Sequence, residues 1–253
     1  MKIIKSHGMS SEKASSLKQL GHFDEKSFAE LIGGKVIKGQ GKIDVEDKYG
    51  KTYSVKGGRN IEGHAGDGRW QLFLFAKSKF EGEISFPARE IILDILNTFP
   101  ASWHVYDSNK EVVKNKKKMH MIKLRDFLSI KKNTYDFLDK SIFDSKIDFL
   151  SVFHDSNFYI FSRQEILQIL TDVFEIKNSK GEQKVRFDYE GKIAIEIEVR
   201  TTNDGKYPAL LLVTNKNKIM RILLSEITYN MTPKANLLVY GKAMNEFKLF
   251  KRI

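Results

Sequence analysis

Over residues 10–33 the apolar positions recur every three to four residues, with Phe28, Leu31 and Ile32 on one face of a helix. Ser10 and Ser11 offer its cap and Gly33-Gly34 its stop. The period then drops to two. Lys42-Ile43-Asp44-Val45-Glu46 and Thr52-Tyr53-Ser54-Val55-Lys56 alternate about an Asp47-Lys48-Tyr49-Gly50 turn, which predicts a β-hairpin. Gly57, Gly58 and the glycines of residues 63–68 predict a flexible loop. Residues 70–77, Trp-Gln-Leu-Phe-Leu-Phe-Ala-Lys, are apolar almost all round and are read as a buried helix in preference to a central strand. Pro87 opens a helix over residues 88–96, and Trp103-His104-Val105-Tyr106 is strand-like.

Beyond residue 129 the pattern changes. Phe158-Tyr159-Ile160-Phe161 predicts a strand. Ser162 then caps an amphipathic helix over 163–174, with Glu165 as its capping-box glutamate. From Lys184 onward short strands alternate with turns, at residues 188–191, 203–205 and 215–217. The pattern predicts an α/β (α+β) chain divided near 130–150. Residues 1–130 form a mixed unit carrying a basic segment, and residues 131–253 form a helix-plus-antiparallel-sheet region. No internal repeat or low-complexity linker separates them.

Composition narrows the function. The 253 residues include 43 Lys and Arg against 32 Asp and Glu, a net charge of +11, which points to a polyanionic partner, nucleic acid first. Nine Lys or Arg and two acids fall within residues 110–132, so this one segment carries +7 of the excess. The absence of cysteine excludes disulfides, cysteine zinc sites and thiol nucleophiles, and fits a reducing, cytoplasmic setting. No apolar run has the ~20 residues of a membrane helix, and the N-terminus has no signal-peptide core. His7, His22, His64, His104, His120 and His154 have no ligand spacing, and there is no Gly-x-x-x-x-Gly-Lys phosphate loop.

The hairpin holds the chemistry. With a side-chain period of two, Ser54 and Lys56 share a face and Asp44 lies across the ladder from them. A carboxylate that holds a divalent cation, beside an ammonium that orients water, is what phosphodiester hydrolysis needs. Glu30, fourteen residues before Asp44 on the preceding helix, offers a second carboxylate. In this order and spacing the segment resembles the PD-(D/E)XK nuclease superfamily, within it the type II restriction endonucleases. The likeness covers about residues 23–80. Asp44 matches the first acid, Lys56 the lysine, and Ser54 stands where the second acid is expected. The resemblance implies a restriction-endonuclease-like mixed sheet flanked by helices and a site-specific DNA endonuclease dependent on Mg²⁺. It also implies catalytic Asp44, Lys56, Glu30 and Ser54, the cation resting on Asp44 and Glu30. Glu62 and Asp67 are alternative sources of the missing acid, and Gln71 can approach the site. A palindromic target would imply a homodimer.

Residues 114–118 are read as a flexible loop whose Lys116, Lys117 and Lys118 touch phosphates, supplying affinity without sequence choice. Base readout falls to Arg200, Thr201, Thr202, Asn203 and Lys206, with Arg59 and Asn60 near the lysine. Asp188, Glu196 and Glu198 form a rival acid cluster without a matched lysine. A non-catalytic DNA-binding protein on a degenerate nuclease scaffold, and an RNA-processing nuclease, are the competing functions.

Overall fold

Gly33, at φ +67°, ends the first helix, α1 (Ser11–Ile32), in the left-handed conformation that glycine adopts most readily. The computed structural model describes residues 11–39, 42–57, 69–76, 85–100, 103–200 and 209–246. Within them the chain is an α+β protein with two sheets. Two compact units are each gathered from separated stretches. The first takes the described residues of Met1–Asp67, Phe143–Ile166 and Leu223–Ile253; the second takes those of Gly68–Ile142 and Leu167–Ile222. One boundary near 130–150 therefore does not describe the chain.

Strand pairing explains the interleaving of the first unit. β1 (Lys35–Val36), β2 (Val45–Glu46) and β3 (Thr52–Lys56) form an antiparallel run. β3 then pairs in parallel with the distant β5 (Phe149–His154), which forms a hairpin with β6 (Asn157–Ser162). β12 (Leu237–Tyr240) adds in parallel to β6, and β11 (Tyr229–Lys234) closes the row. The order β1-β2-β3-β5-β6-β12-β11 makes a seven-stranded mixed sheet. α1 lies over it with Phe28 edge-on to Tyr53, ring centroids 5.3 Å apart, and Tyr53 stacks on Phe149 at 5.1 Å. These rings, with Ile32, Val45, Val55, Ile160 and Val239, form the buried core. Glu165, expected to back the cap of α6 (Arg163–Asp172), accepts a hydrogen bond from the Lys242 backbone N–H at 2.8 Å. A Cβ at residue 241 would strike that carboxylate, and φ there is +51°, so Gly241 meets both demands.

The second unit carries a five-stranded antiparallel sheet, β4-β10-β9-β8-β7. Its strands are β4 (Arg69–Ala76), β7 (Glu175–Asn178), β8 (Val185–Tyr189), β9 (Lys192–Arg200) and β10 (Ala209–Asn215). β4 corrects the helix expected over 70–77. An eight-residue run rich in aromatics matches a strand's length. Phe73 and Phe75 share one face and pack on Phe86, at 5.8 and 5.6 Å. The expected strand at 103–106 is a short helix, α3 (Trp103–Ser108), after α2 (Arg89–Asn97).

The basic segment is not a loop. It forms α4 (Lys110–Leu128) and the start of α5 (Lys131–Leu138). Val113, Met121, Leu124 and Leu128 give α4 a buried stripe, and Lys117 occupies the position between Val113 and Met121. The turn expected at 215–217 is instead the start of α7 (Lys216–Glu226). A short helix, α8 (Ala243–Glu246), ends the described chain. No described helix is long and apolar enough to cross a membrane.

Candidate active site

The β2–β3 hairpin forms around a carboxylate that closes its turn. Asp47 accepts from the backbone N–H groups of Tyr49 (2.8 Å) and Lys51 (2.9 Å), and from the Tyr53 hydroxyl (3.0 Å). Burial, then the Asp47 charge, raises the Tyr53 pKa far above the usual phenol value, so the hydroxyl remains a donor. At the hairpin's other end the Asp44 backbone is held on both sides. Its N–H donates to the Tyr53 carbonyl, and its own carbonyl accepts from the Ile37 N–H, each at 2.9 Å. Asp44 thus continues the ladder next to Val45 and stands across from Ser54.

Three groups converge on Oδ2 of Asp44: the Val55 backbone N–H at 2.7 Å, the Ser54 hydroxyl at 3.2 Å and the Lys56 ammonium at 3.7 Å. None of these three falls on Oδ1. The side chains of Asp44 and Lys56 are 19% and 31% exposed, so both are anchored and both can be reached from solvent. Ser54 is buried, and its hydroxyl orients the acid. Tyr53 and Val55 alternate to the other face, under α1. The arrangement presents an oriented carboxylate and an ammonium to one face of β3.

Glu30 does not belong to it. It is exposed on α1, opposite the stripe Asp24, Phe28 and Ile32 that packs on the sheet. The acid that α1 brings to β3 is Asp24. It is buried, and a Cβ on Gly57, the residue after Lys56, would collide with its Oδ2. Asp24 and Asp44 therefore reach the end of β3 from its two faces. A sequence signal existed: Asp24 lies one helical turn before Phe28 on the same apolar stripe, a costly position for an acid without a purpose. Glu62, Asp67, Arg59, Asn60, Thr201, Thr202, Asn203 and Lys206 lie outside the described residues, as does the Arg200 side chain. Gln71 is exposed on β4, at the edge of the second sheet.

Within the basic segment, helix geometry divides the charges. Lys114 pairs with Glu111 at 2.8 Å, Lys118 with Glu182, Arg125 with Asp126 at 2.7 Å, Lys131 with Asp172 at 2.8 Å, and Lys132 with Asp136. Lys117 sits half-buried with its ammonium 5.9 Å above the Phe99 ring. Burial lowers its pKa, and the charges of Lys114 and Lys184 lower it further. Lys110, Lys116 and Lys123 are exposed and make no ion pair among the described residues.

The rival acid cluster has a matched lysine, Lys184. Lys184 bridges Glu196 at 3.4 Å and Glu198 at 2.8 Å, while Asp188 faces Arg186 at 3.5 Å. Burial opposes the Lys184 ammonium, but the two carboxylates outweigh it and hold its pKa above the ordinary lysine value. These acids are neutralised in place. No group of three His, Cys, Asp or Glu among the described residues could hold a metal ion. Compared with family models, curated proteins and solved structures, the chain matches none.

Proposed function

We propose that the protein is a Mg²⁺-dependent endonuclease of restriction type acting on double-stranded DNA. The observation that carries this reading is the Asp44 carboxylate, fixed through Oδ2 by Val55 and Ser54 with Lys56 3.7 Å away. The donors fit the cation: hard carboxylate oxygens, few in number, suit an ion that keeps most of its waters and is bound by one or two carboxylates plus phosphate oxygens. They do not suit zinc. Asp44 would hold the ion, with Asp24 in place of Glu30 as the helix-borne acid. Bound there, the ion would neutralise phosphate charge and lower the pKa of a water.

The chain's own residues have separate tasks. Val55 and Ser54 keep Asp44 in one rotamer, so no reorganisation is needed as charge develops. The Lys56 ammonium orients the attacking water and offsets negative charge gathering on the phosphate oxygens. Incubating the pure protein with mixed genomic DNA and Mg²⁺ tests the reading, discrete fragments being the expected product. Asp44→Ala and Lys56→Ala should each slow cutting at least about 100-fold while retaining DNA binding. Cutting at the wild-type rate by either variant refutes the assignment. DNA binding without cutting by the wild type supports the non-catalytic alternative.

A further inference from the structure

Lys192, Lys218 and Arg221 all line one open cavity of about 250 Å³ in the second unit, between the β8–β9 turn and the first two turns of α7. Its remaining wall is Tyr189, Ile193, Ala194, Asn217 and Ile222, and no carboxylate lines it. None of the three cations forms an ion pair among the described residues. Elsewhere in this unit most cations do. Three exposed cations bordering one small space favour the entry of an anion. The helix adds to the imbalance. Cations at Lys216 and Lys218 occupy the positive end of α7, whose first turn holds no acid. Lys218 is also tethered, donating from Nζ to the Ile193 carbonyl at 2.9 Å, which keeps its charge beside the cavity.

We propose that this cavity binds the phosphate ester of a ring compound, as a nucleoside 5′-monophosphate presents it. The phosphate would meet Lys192, Lys218 and Arg221, and the ring would rest on Tyr189, Ile193 and Ile222. Three cations call for more than a single carboxylate's charge, and the guanidinium fork matches two phosphate oxygens at once. The volume lies just below the ~300–1,000 Å³ of pockets for larger organic ligands, which favours one nucleotide over a dinucleotide. A free nucleotide and the 5′-phosphorylated end of a nucleic-acid strand present the same chemistry. The inference does not rest on the cleavage reading, because it uses none of that site's residues.

Calorimetry on the full chain, in EDTA at low salt, tests it with deoxyadenosine 5′-monophosphate, deoxyadenosine and inorganic phosphate. The monophosphate should bind, and deoxyadenosine and phosphate should each bind at least about tenfold more weakly. Arg221→Gln, and separately Lys192→Gln, should weaken the monophosphate at least about tenfold; both side chains are exposed, and an unchanged melting temperature confirms folding. No binding of the monophosphate at millimolar concentration overturns the proposal, as does binding that neither substitution changes. A 5′-phosphorylated oligonucleotide that outbinds its 5′-hydroxyl twin, with the difference erased by Arg221→Gln, identifies the strand end as the source. Equal binding of the twins, with the monophosphate still bound, identifies the free nucleotide.

Discussion

Lys56 and Lys117 are both half-buried lysines, and their surroundings are opposite in sign. Lys56 meets an anchored carboxylate at 3.7 Å. Lys117 meets a phenylalanine ring and the charges of two further lysines, Lys114 and Lys184. In the hairpin one cation has one partner, and both remain open to solvent. Over residues 110–132 five of the nine cations face an acid, and two of those, Lys118 and Lys131, face one on another element. Formal charge therefore measures available charge poorly: the segment holding +7 by count presents Lys110, Lys116 and Lys123 as its unpaired, solvent-facing cations among the described residues.

The sharpest challenge to the hairpin's side of this contrast lies in α1. Asp24→Asn should reduce DNA cleavage about 100-fold, whereas Glu30→Gln should leave it near wild type, both read as initial rates in Mg²⁺. The reverse ranking would return the helix-borne role to Glu30. A smaller effect is expected at Ser54. Its hydroxyl supplies one of the bonds that orient Asp44, worth about 1 kcal/mol, so Ser54→Ala should slow cleavage roughly fivefold.

On the α4 side, Lys116→Gln should weaken binding to every DNA sequence alike and flatten the dependence of log affinity on log salt by about one contact. Lys118→Gln should leave that slope unchanged, because its charge already faces Glu182. Equal effects on the slope from both would mean that the helix offers all its lysines to DNA. The smallest effect concerns Lys117→Met, which keeps an unbranched side chain beside Phe99 and removes a charge that burial and its neighbours disfavour. Denaturant titration at neutral pH should show stability unchanged or raised by up to about 1 kcal/mol. A clear loss would mean that the ammonium–ring contact outweighs the desolvation.

These contrasts also explain what could be read in advance. The relation of Asp44, Ser54 and Lys56 is local: a period of two and a tight turn bring the three together whatever the rest of the fold does. Asp24 required knowing that α1 crosses the exit of β3, although its place on the Phe28 stripe was visible in the sequence. The helix α4 was hidden because lysines interrupt its apolar stripe, one of them within it. Residues 70–76 and 103–106 depart from the expected elements for a common reason. Short aromatic runs satisfy either period, and the choice is made by pairing with β10 in one case and by i→i+4 bonds in the other, as in the Asn109 N–H to Val105 carbonyl at 3.2 Å.

The parallel pairing of β6 with β12 also sets the timing of biosynthesis. At about 5–20 residues per second, β6 leaves the ribosome seconds before β12 is made. For that interval Phe158-Tyr159-Ile160-Phe161 is the bare margin of an unfinished sheet, an apolar template on which a neighbouring nascent chain can add. Leu237-Leu238-Val239, arriving late, covers it. A premature stop before Leu237 would therefore do more than shorten the protein: it would leave that margin permanently adhesive, and the shortened product should accumulate in inclusion bodies or depend on chaperones.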